Sequence, residues 1–385
     1  MNEENKEINK LNIVTIIDKD NLVHKIKKRY SITLISIFCL FLIIQIFIFI
    51  HFNIFGKTLL KNIKNILHSI NNITHLAKNK SENDLIDDDE FNEFINEKYL
   101  FEQSHICENQ FLLNNKLIEE KIKLTKINIE NLLFDMFIYK NNDVVSKHIT
   151  NYGSWELKST KSLLSSLSYY SKKTNISNNK IYFLDIGANI GWYSLILANN
   201  GYNVLSFEPS KINYYIFLKN YCINKDLNIT IINKGLDIIK GNFKLYHPLE
   251  NIGNALISQN ETNLNLNNYV KETIKTEKLS YYVNYLSSKN LALIKLDVEG
   301  SEVRVIESGI DLIKKYHVPF IFMEWCVDHL KSRGTDPKLF LELLLNNGYK
   351  IAKKDFFSKR YYTFEELLTE KNIINIYIIY IKFLE

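Results

Sequence analysis

Apolar and polar positions vary along the chain, and the first pronounced pattern is a long apolar run. Twenty residues, beginning at Ser31 and ending at Ile50, contain no charged residue. A helix of that length, at about 1.5 Å per residue, matches the hydrocarbon core of a bilayer. A buried helix of a soluble protein seldom is apolar on all sides. The run therefore predicts a transmembrane helix, and a cleavable signal peptide fits less well because a long polar leader precedes it.

Beyond the apolar run the periodicity changes to spacings of three and four. This spacing predicts an amphipathic helix, most simply a stem or a partner-binding helix. The residues that carry it are Leu59, Ile63, Ile66, Ile70 and Ile73. An acidic patch at 84–97 then indicates a linker or a solvated helix face.

From residue 181 onward, short apolar runs alternate with amphipathic segments. Strands are predicted near 181–185, 204–208, 229–233, 291–297 and 319–324, and helices near 192–199, 211–223, 302–315 and 337–347. Such alternation predicts an α/β fold, a doubly wound and mostly parallel sheet with helices on both faces. The last apolar runs, 349–353 and 373–383, predict an antiparallel hairpin at the sheet edge. Upstream, 132–138 predicts a strand and 161–171 a helix.

Composition excludes some classes of function. The net charge is +5 and no long basic block occurs, so nothing indicates a nucleic-acid-binding surface. The four cysteines have no C-x-x-C spacing and predict neither a disulfide framework nor a zinc site. The nine histidines have no H-x-x-x-H spacing, and we assign no metal ligands from the sequence.

Candidate chemistry begins where the first of these strands ends. Asp185 closes the strand, and Gly187, Asn189 and Gly191 form a glycine-containing turn into a helix. Glycines let the backbone approach a ligand closely, and the helix start offers free N–H groups. Glu208 ends the next strand, where a carboxylate is suited to binding the hydroxyls of a ribose. The combination indicates a nucleoside-type cofactor.

The glycine turn distinguishes two cofactor classes. A dinucleotide site reads G-x-G-x-x-G, whereas here bulky Trp192 and Tyr193 follow Gly191. A pyrophosphate does not fit under so crowded a helix start, which disfavours an NAD-dependent oxidoreductase. S-adenosylmethionine has no pyrophosphate, and its methionine carboxylate and amino groups can use the loop N–H groups and Asp185.

A second group of acids lies at the end of the strand near 291–297. Asp297, Glu299 and Glu302 fall within six residues, and like charges so close raise one another's pKa. A general base near neutral pH needs such an environment, so Asp297 and Glu299 are the candidate catalytic residues. The alternative for Glu299 and Glu302 is a structural role at the first turn of the next helix. Glu324, at the end of the fifth strand, is a candidate substrate contact, with a capping role as the alternative.

These motifs together resemble the FkbM family of S-adenosylmethionine-dependent methyltransferases. The resemblance is carried by Asp185-Ile-Gly-Ala-Asn-Ile-Gly, Phe207-Glu-Pro and Ile294-Lys-Leu-Asp-Val-Glu-Gly-Ser-Glu, and it spans about 130–355. It implies a class I methyltransferase sheet of seven strands and O-methylation, often of a sugar or polyketide hydroxyl. It further implies that Asp185, Gly187, Asn189 and Gly191 hold the methionine part, Glu208 the ribose and Asp237 the adenine.

The resulting organisation has four parts. They are a polar tail (1–30), a transmembrane anchor (31–52), a helical stem with an acidic linker (53–122) and a methyltransferase domain (123–385) whose core is 181–355. The expected activity is O-methylation of a hydroxyl on a glycan or another small molecule. The alternative from another class is a catalytically inactive, membrane-tethered scaffold, and the stem keeps self-association open in either case.

The charges on the two sides of the apolar run bear on its orientation. Basic residues crowd its N-terminal side and are more widely spaced on the other: Lys25, Lys27, Lys28 and Arg29 against Lys57, Lys61 and Lys64. This difference favours a single-pass protein with a cytoplasmic N-terminus and a lumenal catalytic domain. A lumenal domain would require a lumenal supply of the cofactor.

Overall fold

A mostly parallel seven-stranded sheet is the centre of the structure. The structure is a computed structural model, and it describes residues 103, 107, 116–129, 131–141, 143–224, 226–249, 251, 255–258 and 269–385. The predicted anchor, stem and acidic linker lie outside these residues, except for the last part of the segment 53–122. Within the described ranges, no helix is both long enough and apolar enough to cross a membrane.

The elements follow one another in alternation along the described chain. The strands are β1 (Ile122–Ile129), β2 (Leu132–Tyr139), β3 (Ile181–Ile186), β4 (Asn203–Phe207), β5 (Ile229–Ile232), β6 (Gly235–Leu236), β7 (Gly241–Pro248), β8 (Leu256–Ser258), β9 (Tyr269–Glu277), β10 (Asn290–Leu296), β11 (Phe320–Trp325), β12 (Tyr349–Ala352) and β13 (Ile374–Tyr380). The helices are α1 (Lys116–Glu119), α2 (Val144–Tyr152), α3 (Leu157–Thr174), α4 (Trp192–Asn199), α5 (Lys211–Ile223), α6 (Ser280–Ser287), α7 (Glu302–Ser308), α8 (Asp311–Lys314), α9 (Val327–Ser332), α10 (Pro337–Asn346), α11 (Phe364–Thr369) and α12 (Ile381–Leu384).

The central sheet has the strand order β12-β13-β11-β10-β3-β4-β5. Its strands are parallel except β13, which pairs antiparallel with both β11 and β12. The five predicted parallel strands and the predicted edge hairpin are confirmed. This arrangement is the class I methyltransferase-like sheet that the resemblance implied.

Helices cover both faces of the central sheet, which explains why its strands are apolar throughout rather than alternating. Neighbouring residues of one strand face different cores: Phe183 packs in one cluster and Leu184 in the other. The first cluster includes side chains of α3, α4 and α5, and the second includes side chains of α6, α7 and α10. A strand buried on both faces gives a strong signal in the sequence, and these strands were predicted accurately.

Two smaller sheets add to the predicted framework. The predicted strand at 132–138 is β2, and it pairs with β1 in an antiparallel hairpin. A four-stranded sheet of order β6-β9-β7-β8 lies in the chain between β5 and β10 and was not predicted. Its longest strand, β9, has most of its residues partly or fully exposed, so it lacks an apolar run.

The predicted helix at 302–315 is interrupted. It forms two helices, α7 and α8, and Gly309 lies between them. A Cβ atom at Gly309 would come within 2.6 Å of the Leu279 side chain, so the chain approaches α6 closely at the break. The tight packing at this point explains a glycine within an otherwise helical pattern.

Two residues ahead of β1 attach to the domain, and one of them corrects the sequence analysis. Cys107 forms a disulfide with Cys222 of α5, with Cα atoms 5.2 Å apart. The prediction that the cysteines form no disulfide was wrong, because the partners are 115 residues apart and no local spacing reveals them. The side-chain amide of Gln103 makes two hydrogen bonds to β5. Its Nε2 donates to the Ile229 carbonyl (3.1 Å), and its Oε1 accepts from the Ile231 N–H (2.8 Å).

Candidate functional site

A cavity of about 250 Å³ opens at the carboxyl ends of β3, β4, β10 and β11. Parallel α/β sheets bind ligands at this edge. Five of the predicted site residues line the cavity: Gly187, Asn189, Glu208, Asp297 and Glu299. Asp185, Gly191 and Asp237 are not among the residues that line it.

The loop after β3 is held so closely to its surroundings that glycine is required. Gly187 has a φ of +77°, and a Cβ atom there would lie 1.9 Å from the carbonyl oxygen of Asp297. Gly191 has a φ of +94°, and a Cβ atom there would enter the ring of Phe217. The first glycine therefore lets the β3 and β10 loops meet, and the second lets α4 begin against α5.

Glu208 occupies the position that the sequence predicted for a ribose-binding carboxylate. Its side chain is 4% exposed and accepts N–H bonds from Asn189 (2.8 Å) and Ser210 (2.9 Å). Burial raises the pKa of Glu208 to about 7, although the two N–H groups favour the ionised form. Each oxygen of this buried carboxylate accepts one N–H bond and has capacity to accept a further hydrogen bond from a ligand in the cavity.

Asp185 lies beneath the cavity and has internal partners. It is fully buried, accepts a hydrogen bond from Ser194 (2.6 Å) and forms an ion pair with Lys295 (3.4 Å). Lys295 also donates to the Gly187 carbonyl at 2.6 Å. Asp185 therefore acts on the glycine loop through Lys295, rather than from the wall of the cavity.

Lys295 was quoted within a motif but given no role by the sequence analysis. Burial alone would lower its pKa, but the carboxylates of Asp185 and Asp297 hold the pKa above its usual value. Its Nζ lies 3.6 Å from Asp297 and so joins the two loops. The signal was present in the sequence, since a lysine within the apolar run of β10 must have a buried partner.

Asp237, for which the resemblance implied an adenine contact, has a structural partner within the protein. Both of its carboxylate oxygens accept bonds from the Arg304 guanidinium, at 2.7 and 2.9 Å. The residues before it, Lys234, Gly235 and Leu236, line the cavity instead.

Asp297 and three further carboxylates lie near the carboxyl ends of β10 and β11. The Asp297 side chain is 44% exposed, whereas Asp185, Glu208 and Asp237 are buried. Burial, with the neighbouring charges second, raises the pKa of Glu299 to about 8 and that of Glu324 to about 9. Burial also raises the pKa of Glu302 to about 7, although its carboxylate accepts the N–H groups of Val298 and Gly300.

These contacts separate the roles that the sequence left open. Glu302 caps the loop, as the structural alternative proposed, and does not line the cavity. Glu324 does line it, whereas neighbouring Trp325 is fully buried and donates to the Leu367 carbonyl. The strand end thus supplies one cavity residue and one packing residue.

The segment ahead of α3 supplies a wall that the sequence analysis missed. Glu156 lines the cavity, accepts a bond from the Tyr193 hydroxyl (2.6 Å) and accepts another from Asn375 (3.0 Å). Asp143, which is 5% exposed, also lines it. Its Oδ2 accepts the Ser146 N–H, and its buried Oδ1 has no hydrogen-bond partner among the described residues. Glu156 ends the turn Gly153-Ser-Trp-Glu156, which resembles the lead-in of the FkbM family, but the sequence analysis assigned neither acid a role in the site.

A group of potential metal ligands lies at the same end of the cavity. Glu299, Glu324 and His329 each direct one ligand atom into a common space, and these atoms all lie within 4.8 Å of one another. The three residues belong to the β10 loop, β11 and α9. Because these residues are far apart in the sequence, no short metal-binding motif predicts them.

The fold and this site define a class I methyltransferase-like protein. A model of the methyltransferase FkbM domain family matches residues 185–351, which include every predicted site residue. This part of the chain is therefore similar to methyltransferase FkbM domains. The chain matches no curated protein.

Solved structures with a similar arrangement are distant. The bifunctional kinase-methyltransferase WbdD has 12% identity and a TM-score of 0.34, over 57% of this chain and 38% of WbdD. Magnesium protoporphyrin IX methyltransferase (ChlM) from Synechocystis PCC 6803, with bound SAM, has 12% identity and a TM-score of 0.31, over 61% and 83%. A SAM-dependent methyltransferase from Agrobacterium tumefaciens has 7% identity and a TM-score of 0.33, over 67% and 70%. These scores are low, so the assignment rests on the family match and on the site.

Proposed function

We propose that the chain is a membrane-anchored O-methyltransferase that uses S-adenosylmethionine to methylate a hydroxyl of a glycan or another small molecule. The observation that carries the proposal is that Asp297 and Glu208 line one cavity at the carboxyl ends of the sheet. One carboxylate is suited to binding a nucleoside, and the other is accessible to an acceptor. An inactive scaffold would have no need for this pair.

The residues of the nucleoside side fit the cofactor. Gly187 lies in the cavity wall, where a Cβ atom would displace the loop by colliding with the Asp297 carbonyl. Glu208 is a buried carboxylate with capacity for further hydrogen bonds. Gly187, Asn189 and Glu208 would hold the cofactor, with Gly191 fixing the helix start behind them. When bound, S-adenosylmethionine supplies an electrophilic methyl group on a sulfonium.

On the acceptor side the chain must align a hydroxyl and remove its proton. Asp297 is suited to accept that proton because its carboxylate is exposed to the cavity and is held by Lys295 at 3.6 Å. Glu299 lies beside it and is the second candidate. Alignment of the acceptor contributes more to the rate than the base does, since the methyl group is already reactive.

Cofactor binding is the experiment that tests the proposal. The protein, or a fragment that begins upstream of Gln103 so that the contacts of Gln103 and Cys107 remain, is titrated with S-adenosylmethionine by calorimetry. Binding that is lost in Gly187→Val and in Glu208→Ala supports the site. A well-folded protein that does not bind the cofactor contradicts the proposal and favours the scaffold.

Catalysis requires a separate measurement with acceptors. In a screen of hydroxyl acceptors, Asp297→Asn should lower kcat and leave cofactor affinity unchanged. Turnover by Asp297→Asn equal to wild type at all pH values would exclude Asp297 as the base.

We further propose that the anchor at 31–50 places the N-terminus in the cytoplasm and the methyltransferase domain in an oxidising lumen. The Cys107–Cys222 disulfide supports this orientation, because disulfides persist in oxidising compartments and are rare in the cytosol. Protease protection on sealed vesicles tests it. Digestion of the methyltransferase domain from the cytoplasmic side would reverse the assignment.

A further inference from the structure

We propose that Glu299, Glu324 and His329 form a site for a divalent metal ion of the Mn²⁺ or Fe²⁺ class beside the acceptor. The geometry is the primary support, since the three ligand atoms all lie within 4.8 Å of one another. Carboxylate and imidazole ligands lie about 2.0–2.6 Å from divalent ions, so ligands of one ion are up to roughly 5 Å apart. Two carboxylates and one imidazole leave positions open for an acceptor and water.

The packing of the fold holds these ligands near one another. A Cβ atom at Gly300 would lie 2.9 Å from the His329 carbonyl oxygen, so the β10 loop is pressed against α9. Glu324 lies one residue before the end of β11, which precedes α9 directly. Within the described part of the chain, the side chains of Glu299, Glu324 and His329 make no hydrogen bond. The groups that would bind a metal are therefore not committed to other partners.

The charges around the cluster also favour a cation. The carboxylates of Asp297, Glu302 and Glu156 lie near Glu324, in addition to Glu299. The cations that face this group are Lys295 and Arg333. Ionisation of all five carboxylates against these two cations would leave an excess of negative charge at the acceptor end, and a divalent ion would offset most of it.

A positively charged acceptor, such as an amine, is the competing explanation for so many carboxylates. His329 favours the metal, because a neutral imidazole is a common metal ligand and contributes nothing to binding an ammonium group by charge. The cavity also includes Glu299 and Glu324 in its wall, so an ion at the cluster would be accessible to an acceptor.

The role of the ion rests on the proposed function, whereas the site itself does not. A divalent ion that contacts the acceptor hydroxyl lowers the pKa of that hydroxyl. The proton passes to Asp297, the hydroxyl oxygen forms the new bond to the methyl carbon, and the methyl–sulfur bond breaks with its electron pair remaining on sulfur. Atoms and charges balance without any further reactant.

Metal binding by the full-length protein tests the site. Protein stripped with EDTA is titrated with MnCl₂, and free Mn²⁺ is followed by electron paramagnetic resonance. Glu324→Gln and His329→Gln should each weaken binding by roughly tenfold or more. Glu342→Gln on α10 and Asp328→Asn on α9 are the matched controls, since the Glu342 side chain is 44% exposed and, among the described residues, pairs only with Lys338, and Asp328 is exposed.

Binding of S-adenosylhomocysteine and melting temperature are measured on the same samples. Retention of S-adenosylhomocysteine by both cluster variants shows that they are folded and separates the metal site from the cofactor site. Absence of Mn²⁺ binding by wild type, or equal binding by wild type and both cluster variants, overturns the metal site while the methyltransferase assignment stands. Mn²⁺ binding without binding of S-adenosylhomocysteine would instead support the metal site and contradict the proposed function.

Discussion

At the scale of single residues, Gly187 and Gly334 show how the same backbone conformation serves different purposes. Their φ angles are +77° and +75°, but a Cβ atom would meet the Asp297 carbonyl at Gly187 and nothing within 4 Å at Gly334. The left-handed conformation alone costs a non-glycine residue about 1–2 kcal/mol. Only Gly187 adds a collision with the second loop of the site.

Gly187→Ala is therefore expected to displace the loop and to weaken S-adenosylmethionine binding by at least roughly tenfold. Gly334→Ala should lower the free energy of unfolding by about 1–2 kcal/mol, the cost of the left-handed conformation alone, and leave cofactor affinity unchanged. Calorimetric titration of both variants makes the comparison. Equal affinities for the two would show that the approach of the two loops is unimportant for the cofactor.

Glu208 should make cofactor binding depend on pH. Its pKa is about 7 in the free protein, and hydroxyl donors of a ligand favour the ionised carboxylate. Affinity should therefore fall as the pH drops below about 7, by up to about tenfold per pH unit. Glu208→Gln should bind more weakly and without this pH dependence. An identical pH profile for wild type and Glu208→Gln would place the titrating group elsewhere.

At the scale of elements, the ion pair of Asp237 and Arg304 attaches the segment after β6 to α7. Both side chains are mostly buried, at 9% and 15% exposed, and the contact has two hydrogen bonds. The FkbM resemblance implied an adenine contact for Asp237, and the two roles predict different behaviour.

Asp237→Ala should lower the free energy of unfolding by about 1–3 kcal/mol, because Arg304 loses its partner. Affinity for S-adenosylmethionine should remain close to wild type. Denaturant unfolding and calorimetry measure the two effects on one sample. Unchanged stability together with a large loss of affinity would restore the adenine assignment.

The elements that sequence reasoning found and those it missed differ in burial. β3, β4, β5, β10 and β11 are apolar on both faces, and turns bound them clearly. β9 has an exposed face and β6 has two residues, so neither produces a distinct pattern. An apolar run in the sequence identifies a strand that is buried on both faces, whereas a short or largely exposed strand has no such run.

The same limit applies to the site. Motifs located Glu208 and Asp297 correctly at the cavity, because a residue at a strand end lies at the ligand edge of the sheet. They could not give the direction of a side chain, and Asp185 faces Lys295 beneath the loop. Glu156 reaches the cavity, and His329 approaches Glu299 and Glu324, through tertiary packing that no local spacing reveals.

At the scale of the whole molecule, the disulfide closes a loop of 115 residues. Reduction should lower the free energy of unfolding by about 2–5 kcal/mol, since the unfolded chain regains the freedom that the bond removed. Thermal melting with and without dithiothreitol measures this effect. Cys222→Ser should melt at the temperature of the reduced protein, and Cys326→Ser should keep the sensitivity to reductant. A melting temperature that does not respond to reductant would contradict the pairing.

The buried carboxylates should make the ligand-free protein less stable as the pH rises. Glu208, Glu302, Glu299 and Glu324 have pKa values of about 7, 7, 8 and 9 when folded, against an ordinary value of 4.5. Because these values are raised, the stabilising contribution is complete below the ordinary value and is lost as the pH rises through about 7 to 9.

Melting temperature, measured with EDTA present, should therefore decrease between about pH 6 and pH 9. Glu324→Gln should reduce that decrease because its side chain stays neutral. A wild-type melting temperature that rises between about pH 6 and pH 9 would show that ionisation of these carboxylates does not destabilise the folded protein.

The contacts of Gln103 affect the tendency of the protein to associate with other copies of itself. Its side-chain amide bonds to β5 as a further strand would, and β5 is the outermost strand of the central sheet on that side. Exposed strand edges recruit strands from other molecules and promote aggregation. A chain shortened past Gln103 would present that edge to other copies of itself, so its tendency to aggregate should depend on a residue that does not line the cavity.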